Sequence, residues 1–408
     1  MDSGTSIPRY LFPRNVHAAC PHRVKDREKS NVFYTIATES VVTRKTIVNG
    51  LKMRPTTVSS VVTELIRDGL VVEGDTTSAG RKGRPETRLH PRFDRLGSVA
   101  AFVVSRKIHA VLVDIGQTVH AHRSIELHKD STSEHVLTEL RNLILSVLQD
   151  PCRHDIEVLG IGLSLPGNLD VRNGVWLKST RWTGLYGLSL KQLETEIGMP
   201  VHYIKNLDAE CVYILRRYPE LSRGGTLLIH WGYGIGASYA DRGTVLHANA
   251  GLFGEIGHWC VDAAGGSRCV CGDVGCLETR AALWALLPGM QSRFPEAPEL
   301  EDEFGRFLAC APISELPGLP TAIEYMSIAL RNLYQLFYPD NIVLYGPFTE
   351  RREIFTTLSR AFHENIAQFN RRGTSLRAYK MKSEGEIFGC TSELFCHSLR
   401  RFLSADWS

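Results

Sequence analysis

The chain has 408 residues, of which 43% are hydrophobic and 22% are charged, and its formal net charge is +3. This length predicts two or three domains, and the composition is that of a folded globular protein rather than a disordered chain. The sequence contains no run of eighteen apolar residues and its first segment has no signal-peptide core, so we expect a cytoplasmic protein without a membrane partner. Ten cysteines in so long a chain are too few for a disulfide framework.

Charge is distributed unevenly along the chain. Residues 1–95 contain 17 basic and 10 acidic residues, whereas the remainder contains 30 basic and 34 acidic residues. A basic front attached to an acidic body is typical of a nucleic-acid-binding head, although a solvated basic surface would give the same asymmetry.

After a polar tail at residues 1–30, residues 31–95 predict a winged helix-turn-helix. Apolar residues at helical spacing begin a first helix at Val32, and Thr43 is suited to cap a second helix. A third helix begins at Pro55 and ends before Gly69, because an apolar stripe with i, i+3, i+4 spacing lies between a first-turn proline and a stop glycine.

The other face of the third helix has the composition of a DNA recognition surface. Small hydroxyl side chains let a helix backbone enter the major groove, and a guanidinium reaches phosphates and base edges. A neutral solvated face would look the same, so both interpretations stay open for this helix alone. The residues concerned are Arg54, Thr56, Thr57, Ser59 and Ser60.

The segment that follows predicts a wing. A strand at 70–72 and a returning strand at 87–89 enclose a glycine-containing tip with Arg81, Lys82 and Arg84. Cations in such a tip can lie against phosphates or enter a narrow minor groove. A charged linker would not need the flanking apolar strands, so the wing favours double-stranded DNA as a partner.

One imidazole and three thiols lie within nineteen residues of the body, and the donors are His258, Cys269, Cys271 and Cys276. Four nitrogen and sulfur donors match a closed, structural Zn²⁺ site, and glycines between the cysteines let the backbone turn toward one ion. Cys260 is a possible substitute ligand, and buried unligated thiols are the alternative interpretation. A further turn with alternate glycines at 232–236 would let backbone N–H groups approach a ligand, although tight turns between strands have the same composition.

Together these segments resemble the ROK family, which joins repressors, open reading frames and sugar kinases. The resemblance is carried by the turn at 232–236, by the Glu-x-Gly-His segment at 255–258, by the Cys-x-Cys-Gly-x-x-Gly-Cys-x-Glu segment at 269–278, and by the glycines at 160–162 with Pro166-Gly167. It implies an α/β fold with two actin-like (ribonuclease H-like) lobes and a sugar cleft. The first lobe would span 96–205, completed by 385–408, and the second 206–384, with strands expected at 98–104, 110–113, 158–163 and 341–344 and a helix at 323–337. The winged head places the chain in the repressor branch, similar to the xylose and N-acetylglucosamine repressors.

The resemblance also indicates that phosphotransfer has been lost. The phosphate loop that kinases place between their first strands reads Val104-Ser105-Arg106-Lys107, without a glycine pair or an aspartate. Pro347 stands where a second phosphate loop usually has a flexible glycine. Leucine follows Asn206 where kinases have a catalytic aspartate, so Asp208 would act as a base only in a kinase with a shifted loop. We therefore expect no enzyme activity.

The expected function is a transcriptional repressor of carbohydrate-related genes that binds a palindromic operator as a homodimer or homotetramer and responds to a small, sugar-like effector. Two other interpretations remain: a sugar kinase with a regulatory head, and a docking platform without an effector. Glu255 and Glu278 alternatively brace the zinc loop. By resemblance the effector-binding residues are Glu255, His258, Glu278, Asn206 and Asp208.

Overall fold

The computed structural model describes residues 23–77, 85–153, 155–246, 253–366, 373–380 and 383–403. The wing tip with Arg81, Lys82 and Arg84 lies outside these residues. The described chain divides into two compact units. The first comprises the residues up to 164 with 182–203 and the residues from 390 onward, and the second comprises 165–181 and 204–389.

The head consists of three helices followed by an antiparallel strand pair. These elements are α1 (Val24–Thr38), α2 (Arg44–Leu51), α3 (Pro55–Arg67), β1 (Val71–Thr77) and β2 (Glu86–Pro91). Val32, Ile47, Val62 and Leu65 are completely buried between the helices, as the apolar stripe of the third helix predicts. Burying each such side chain stabilises the head by about 1.5–3 kcal/mol.

The first helix begins earlier than the sequence pattern indicates. It starts at Val24 rather than Val32, so the tail predicted for residues 1–30 is wrong in its last seven residues. The added turns are mostly charged and carry no apolar stripe, which is why periodicity misses them. They are held from outside the helix, since Lys29 Nζ donates to Asp68 at 2.8 Å.

The ends of α2 and α3 follow the predicted signals. Thr43 Oγ1 accepts from the Thr46 N–H at 3.2 Å, and the Thr46 hydroxyl oxygen accepts from the Thr43 N–H at 2.8 Å. This reciprocal cap satisfies two N–H groups that the helix itself leaves unpaired. Pro55 occupies the first turn of α3, and Gly69 follows it with a φ of 74°.

The body contains thirteen further strands in the described residues. They are β3 (Leu96–Val104), β4 (Lys107–Asp114), β5 (Val119–Glu126), β6 (Glu157–Leu165), β7 (Asn168–Asp170), β8 (Val175–Lys178), β9 (Tyr186–Ser189), β10 (Val201–Lys205), β11 (Gly225–Trp231), β12 (Ile235–Asp241), β13 (Thr244–Val245), β14 (Asn341–Tyr345) and β15 (Ser375–Ala378).

The described helices of the body lie between groups of these strands, and the last of them follows β15. They are α4 (Ser133–Leu148), α5 (Leu190–Ile197), α6 (Asn206–Arg217), α7 (Glu278–Ala281), α8 (Leu283–Arg293), α9 (Glu301–Cys310), α10 (Leu319–Phe337), α11 (Pro347–Glu350), α12 (Arg352–Asn365) and α13 (Glu384–Leu403). None of the described helices is long and apolar enough to cross a membrane.

Each unit is built on a five-stranded sheet with the same plan. The order is β10-β6-β3-β4-β5 in the first unit and β13-β12-β11-β14-β15 in the second. In both, a strand pairs antiparallel with the next strand of a hairpin and parallel with a later strand, as β3 does with β4 and β6, and β11 with β12 and β14. The four strands and the long helix predicted in the body lie within β3, β4, β6, β14 and α10.

Large side chains fix the sheet of the second unit against its helices. Trp231, Phe304 and Phe348 are completely buried, and the rings of Trp231 and Phe348 stack at 4.8 Å. The Trp231 indole N–H also donates to the Ala281 carbonyl at 2.8 Å, so a buried polar atom is satisfied. The end of β11, and with it the glycine turn that follows, is therefore held rigidly.

Candidate functional site

The glycine turn joins β11 to β12 and is met by two carboxylates. The Ile235 N–H donates to Glu278 Oε1 at 2.9 Å, and the Tyr233 N–H donates to Glu301 Oε1 at 2.5 Å. A Cβ on Gly232 would lie only 2.7 Å from Glu301 Oε1, so the carboxylate can sit this close only because the residue is glycine. The N–H groups predicted to meet a ligand here face side chains of the chain itself.

The four predicted metal donors converge at one point. The donor atoms of His258, Cys269, Cys271 and Cys276 all lie within 4.8 Å of one another. The Cys269 sulfur is 3.5 Å from His258 Nδ1, and the Cys271 and Cys276 sulfurs are 3.6 Å apart. Cys260 is not part of this group, since its thiol faces the Val274 carbonyl at 3.6 Å.

This donor set fits a zinc ion. Ligands at the corners of a tetrahedron with bonds of about 2.3 Å lie about 3.8 Å apart, close to the separations of the paired donors. Burial, and to a smaller extent the neighbouring thiols, raises the pKa of Cys276, so the thiolate form is disfavoured in the absence of a cation. Three thiolates at this separation therefore need a bound cation to balance their charge. The residues would hold zinc through His258 Nδ1 and three sulfurs.

Glycines and one ion pair shape the metal loop. Gly275 has a φ of 75°, and a Cβ there would lie 2.0 Å from the Asp262 carbonyl oxygen. Arg280 donates to the Asp262 carboxylate at 2.5 Å and to the Gly265 carbonyl at 2.8 Å, which ties the loop to α7. That contact lowers the pKa of Asp262, so the ion pair persists well below neutral pH.

Glu278 links the metal loop to the glycine turn. It follows Cys276 by two residues, is buried, and uses its second oxygen to accept from the Trp284 indole N–H at 3.0 Å. With Oε1 on the Ile235 N–H, each of its oxygens has a donor within the second unit. Glu278 therefore connects the end of the metal loop to the glycine turn, and its role as an effector ligand stays a prediction.

Glu255 makes a different contact. Lys205, itself buried at the end of β10, donates to Glu255 Oε1 at 2.6 Å and to the Phe253 carbonyl at 2.9 Å. The next residue, Asn206, begins α6 and has a buried side-chain oxygen without a partner among the described residues. Asn206 and Glu255 are thus both adjacent to Lys205.

Asp208 points elsewhere. It is buried and accepts from the Ser238 hydroxyl at 2.6 Å. This hydrogen bond joins Asp208 to β12. Leu207, at the position after the asparagine, lies against Gly236, where a Cβ would be 3.4 Å from its methyl carbon. The role of Asp208 as an effector ligand or kinase base stays a prediction.

Two further loops stand where the resemblance places the phosphate loops of the kinases. Val104 pairs with Lys107, so Ser105 and Arg106 alone form the turn between β3 and β4, and Ser105 has a φ of 55°. Pro347 begins α11 and has no N–H to donate.

The predicted recognition residues lie together on α3. Arg54 is the residue before the helix, Thr56, Ser59 and Ser60 are exposed, and Thr57 is half-buried. Arg54 stands at the N-terminal end, from which a recognition helix usually contacts base edges.

Sequence reasoning missed three residues that organise these sites: Lys205, Ser238 and Glu301. A lysine ending an apolar strand was a weak signal for a buried ion pair. The acidic run at 299–303 indicates only the first turn of a helix, because acidic residues are favoured there in any helix.

Comparison with known proteins places the body in a family. The ROK family model matches residues 105–392, and the chain belongs to the ROK family. Over 383 residues it is 24% identical to the DNA-binding transcriptional repressor Mlc of Escherichia coli K12, covering 90% of this chain and 92% of that protein. It is 25% identical to the xylose repressor of Caldicellulosiruptor bescii, covering 90% and 95%.

Solved structures agree on the fold. A ROK family transcriptional regulator described as a homologue of the E. coli Mlc protein matches with a TM-score of 0.70 at 21% identity, over 93% of this chain and 98% of that one. The ROK hexokinase of Thermus thermophilus matches with a TM-score of 0.57 at 24% identity, over 74% and 99%. The body has the sugar-kinase-like α/β fold of this family, as the sequence resemblance implied.

Proposed function

We propose that this protein is a DNA-binding transcriptional repressor whose ROK body responds to a small, sugar-like effector. The observation that carries the proposal is the exposed face of α3, where Arg54 and short hydroxyl side chains lie on the third helix of a winged head. The chain is similar to two proteins named as repressors, Mlc and the xylose repressor, and this similarity supports the same conclusion. The target would be a palindromic operator, bound by a homodimer or homotetramer.

Zinc in the metal centre would have a structural role. His258, Cys269, Cys271 and Cys276 would fill four positions and leave none for a reacting water. Because Glu278 follows the last cysteine by two residues, a closed loop would hold its carboxylate against the glycine turn. His258 would bind the ion through Nδ1 and keep Nε2 for an effector hydroxyl.

Two of the predicted effector residues adjoin Lys205, since Asn206 follows it in the chain and Glu255 accepts from its ammonium group. The unpartnered oxygen of Asn206 can accept from a hydroxyl, and Glu255 keeps an oxygen beyond the one that Lys205 uses. A polyhydroxylated ligand suits such acceptors. The effector would alter the spacing of two heads and so change operator affinity.

Several features favour a repressor over an enzyme. The turn at 104–107 offers two side-chain-bearing residues instead of a glycine cradle, and the position after Asn206 is leucine. Asp208 is buried and accepts a hydrogen bond from Ser238, whereas a base must reach the hydroxyl that it deprotonates. A sugar kinase with a regulatory head predicts ATP turnover in the presence of sugars, which is measured directly.

The first experiment is binding of genomic DNA fragments by the purified chain at two salt concentrations. Selective binding that weakens with salt is expected, because phosphate contacts release counterions. Arg54→Ala should weaken operator binding about tenfold or more, equivalent to about 1–3 kcal/mol. Arg67→Ala is the matched control, since Arg67 is an exposed arginine at the opposite end of α3. Arg84→Ala tests the wing. Binding no tighter than to random DNA would refute the proposal.

The metal assignment has its own test. Cys271→Ser should lower both the zinc content and the operator affinity of the purified protein. An unchanged zinc stoichiometry in this variant would refute the assignment of the metal site. Calorimetry against a panel of sugars separates the effector model from a docking platform, which predicts neither heat nor a shift in melting temperature.

A further inference from the structure

The N-terminal end of α9 contacts the glycine turn through the carboxylate of Glu301. Backbone N–H groups of a turn can form a concavity that favours negative charge. In this turn the Gly232 N–H donates to the Gly234 carbonyl at 3.1 Å and the Ile235 N–H donates to Glu278. Here the Tyr233 N–H is one donor, and the imidazole of His230, at the end of β11, is a second. Both are directed at the carboxylate of Glu301, at 2.5 Å and 3.1 Å.

The charge of a guanidinium acts on the same carboxylate. The Arg181 guanidinium lies over the Tyr233 ring, 5.2 Å from its centre, and forms no ion pair with a carboxylate among the described residues. Burial would by itself raise the pKa of Glu301. His230, Arg181 and the Tyr233 N–H outweigh that effect and lower it to about 2, so Glu301 is ionised at neutral pH.

Two carboxylates of the segment 299–301 pack closely against the glycine turn. A Cβ on Gly232 would lie 2.7 Å from both Glu301 Oε1 and His230 Nε2, so the acid rests directly on glycine backbone. Two residues before α9 begins, the side chain of Glu299 accepts from the Tyr233 hydroxyl at 3.2 Å. The segment 299–301 is thereby fastened across the turn.

We propose that Glu301 is a built-in anion that occupies an oxyanion site formed by the glycine turn, His230 and Arg181, and that it keeps phosphate and phosphate esters out of that site. A carboxylate and a phosphate compete for the same N–H and cationic groups because both present oxygens with negative charge. The fold thus retains an anion-binding turn, and the chain fills it itself. The inference does not depend on DNA binding or on the metal.

Removal of the carboxylate should open the site. The test compares inorganic phosphate binding by the full-length chain, its Glu301→Ala variant and a Glu303→Ala control, by calorimetry and melting temperature. Glu303 is an exposed acid in the first turn of the same helix, so its loss changes the net charge equally without touching the turn. Sodium chloride at matched ionic strength corrects for general salt effects.

Saturable phosphate binding by Glu301→Ala, at least tenfold tighter than by the native chain and by Glu303→Ala, is the expected result. Adding Arg181→Ala to Glu301→Ala should weaken that binding at least fivefold. A Glu301→Ala protein that is less stable yet gains no phosphate affinity would mean that the acid only ties α9 to the turn, and the proposal would fall. Native protein that binds phosphate as tightly as the variant would overturn it equally.

Glu301→Gln keeps the inference testable if the alanine variant does not fold. The amide retains the volume and one acceptor oxygen but removes the negative charge that faces the His230 imidazole and the Arg181 guanidinium. Phosphate binding should then rise above that of the native chain, with a smaller gain than for alanine. No gain in a folded Glu301→Gln protein would also count against an internal anion.

Discussion

Replacement of Glu278, whose two oxygens accept from Ile235 and Trp284, tests whether this side chain stabilises the contact between the metal loop and the glycine turn. Replacing Glu278 with Ala leaves the buried Ile235 N–H without an acceptor, which costs about 1–3 kcal/mol. The indole N–H of Trp284 also loses its acceptor but is partly reached by water, which adds about 1 kcal/mol. The free energy of unfolding should therefore fall by about 2–4 kcal/mol.

Urea unfolding followed by tryptophan fluorescence, with metal kept in excess, measures this loss. Glu278→Gln should lose about half as much, since its amide oxygen can still accept from one of the two donors. The exposed Glu303→Ala control should remain within about 0.5 kcal/mol of the native chain. If Glu278→Ala is as stable as that control but has lost the heat of sugar binding, the side chain is an effector ligand and the bracing argument is refuted.

Three further predictions concern other parts of the chain. Thr43→Ala removes the reciprocal cap of α2 and should destabilise the head by about 1 kcal/mol in chemical denaturation, whereas Thr43→Ser should not. Gly275→Ala forces a Cβ onto the Asp262 carbonyl oxygen and should lower metal content, measured by elemental analysis, more than Gly265→Ala, whose Cβ meets nothing closer than 3.4 Å; equal losses would contradict the steric reason. Burial lowers the pKa of His109 to about 4. The unfolded chain then binds the extra proton, so stability should fall as the pH drops from about 6.5 toward 4, and His109→Gln should flatten that part of the profile.

The sequence by itself determined the features that depend on short spacing. The stripe of α3, the cap at Thr43 and the strands of the body follow from local periodicity and turn chemistry, and four metal donors within nineteen residues can converge wherever that segment folds. The charged first turns of α1 have no such pattern, and a contact with Asp68 from a later helix holds them.

Only the tertiary structure decided what each acidic side chain does. Glu278, Glu301 and Asp208 are all acids near glycines or helix starts, and nothing in their sequence neighbourhoods distinguishes a ligand-binding carboxylate from a bracing one. The partners named above lie between 30 and 71 residues away, except for the nearby Trp284. Whether a carboxylate faces a ligand or a backbone N–H depends on which distant strand the packing brings beside it, because a hydrogen bond acts over about 3 Å whatever the separation along the chain.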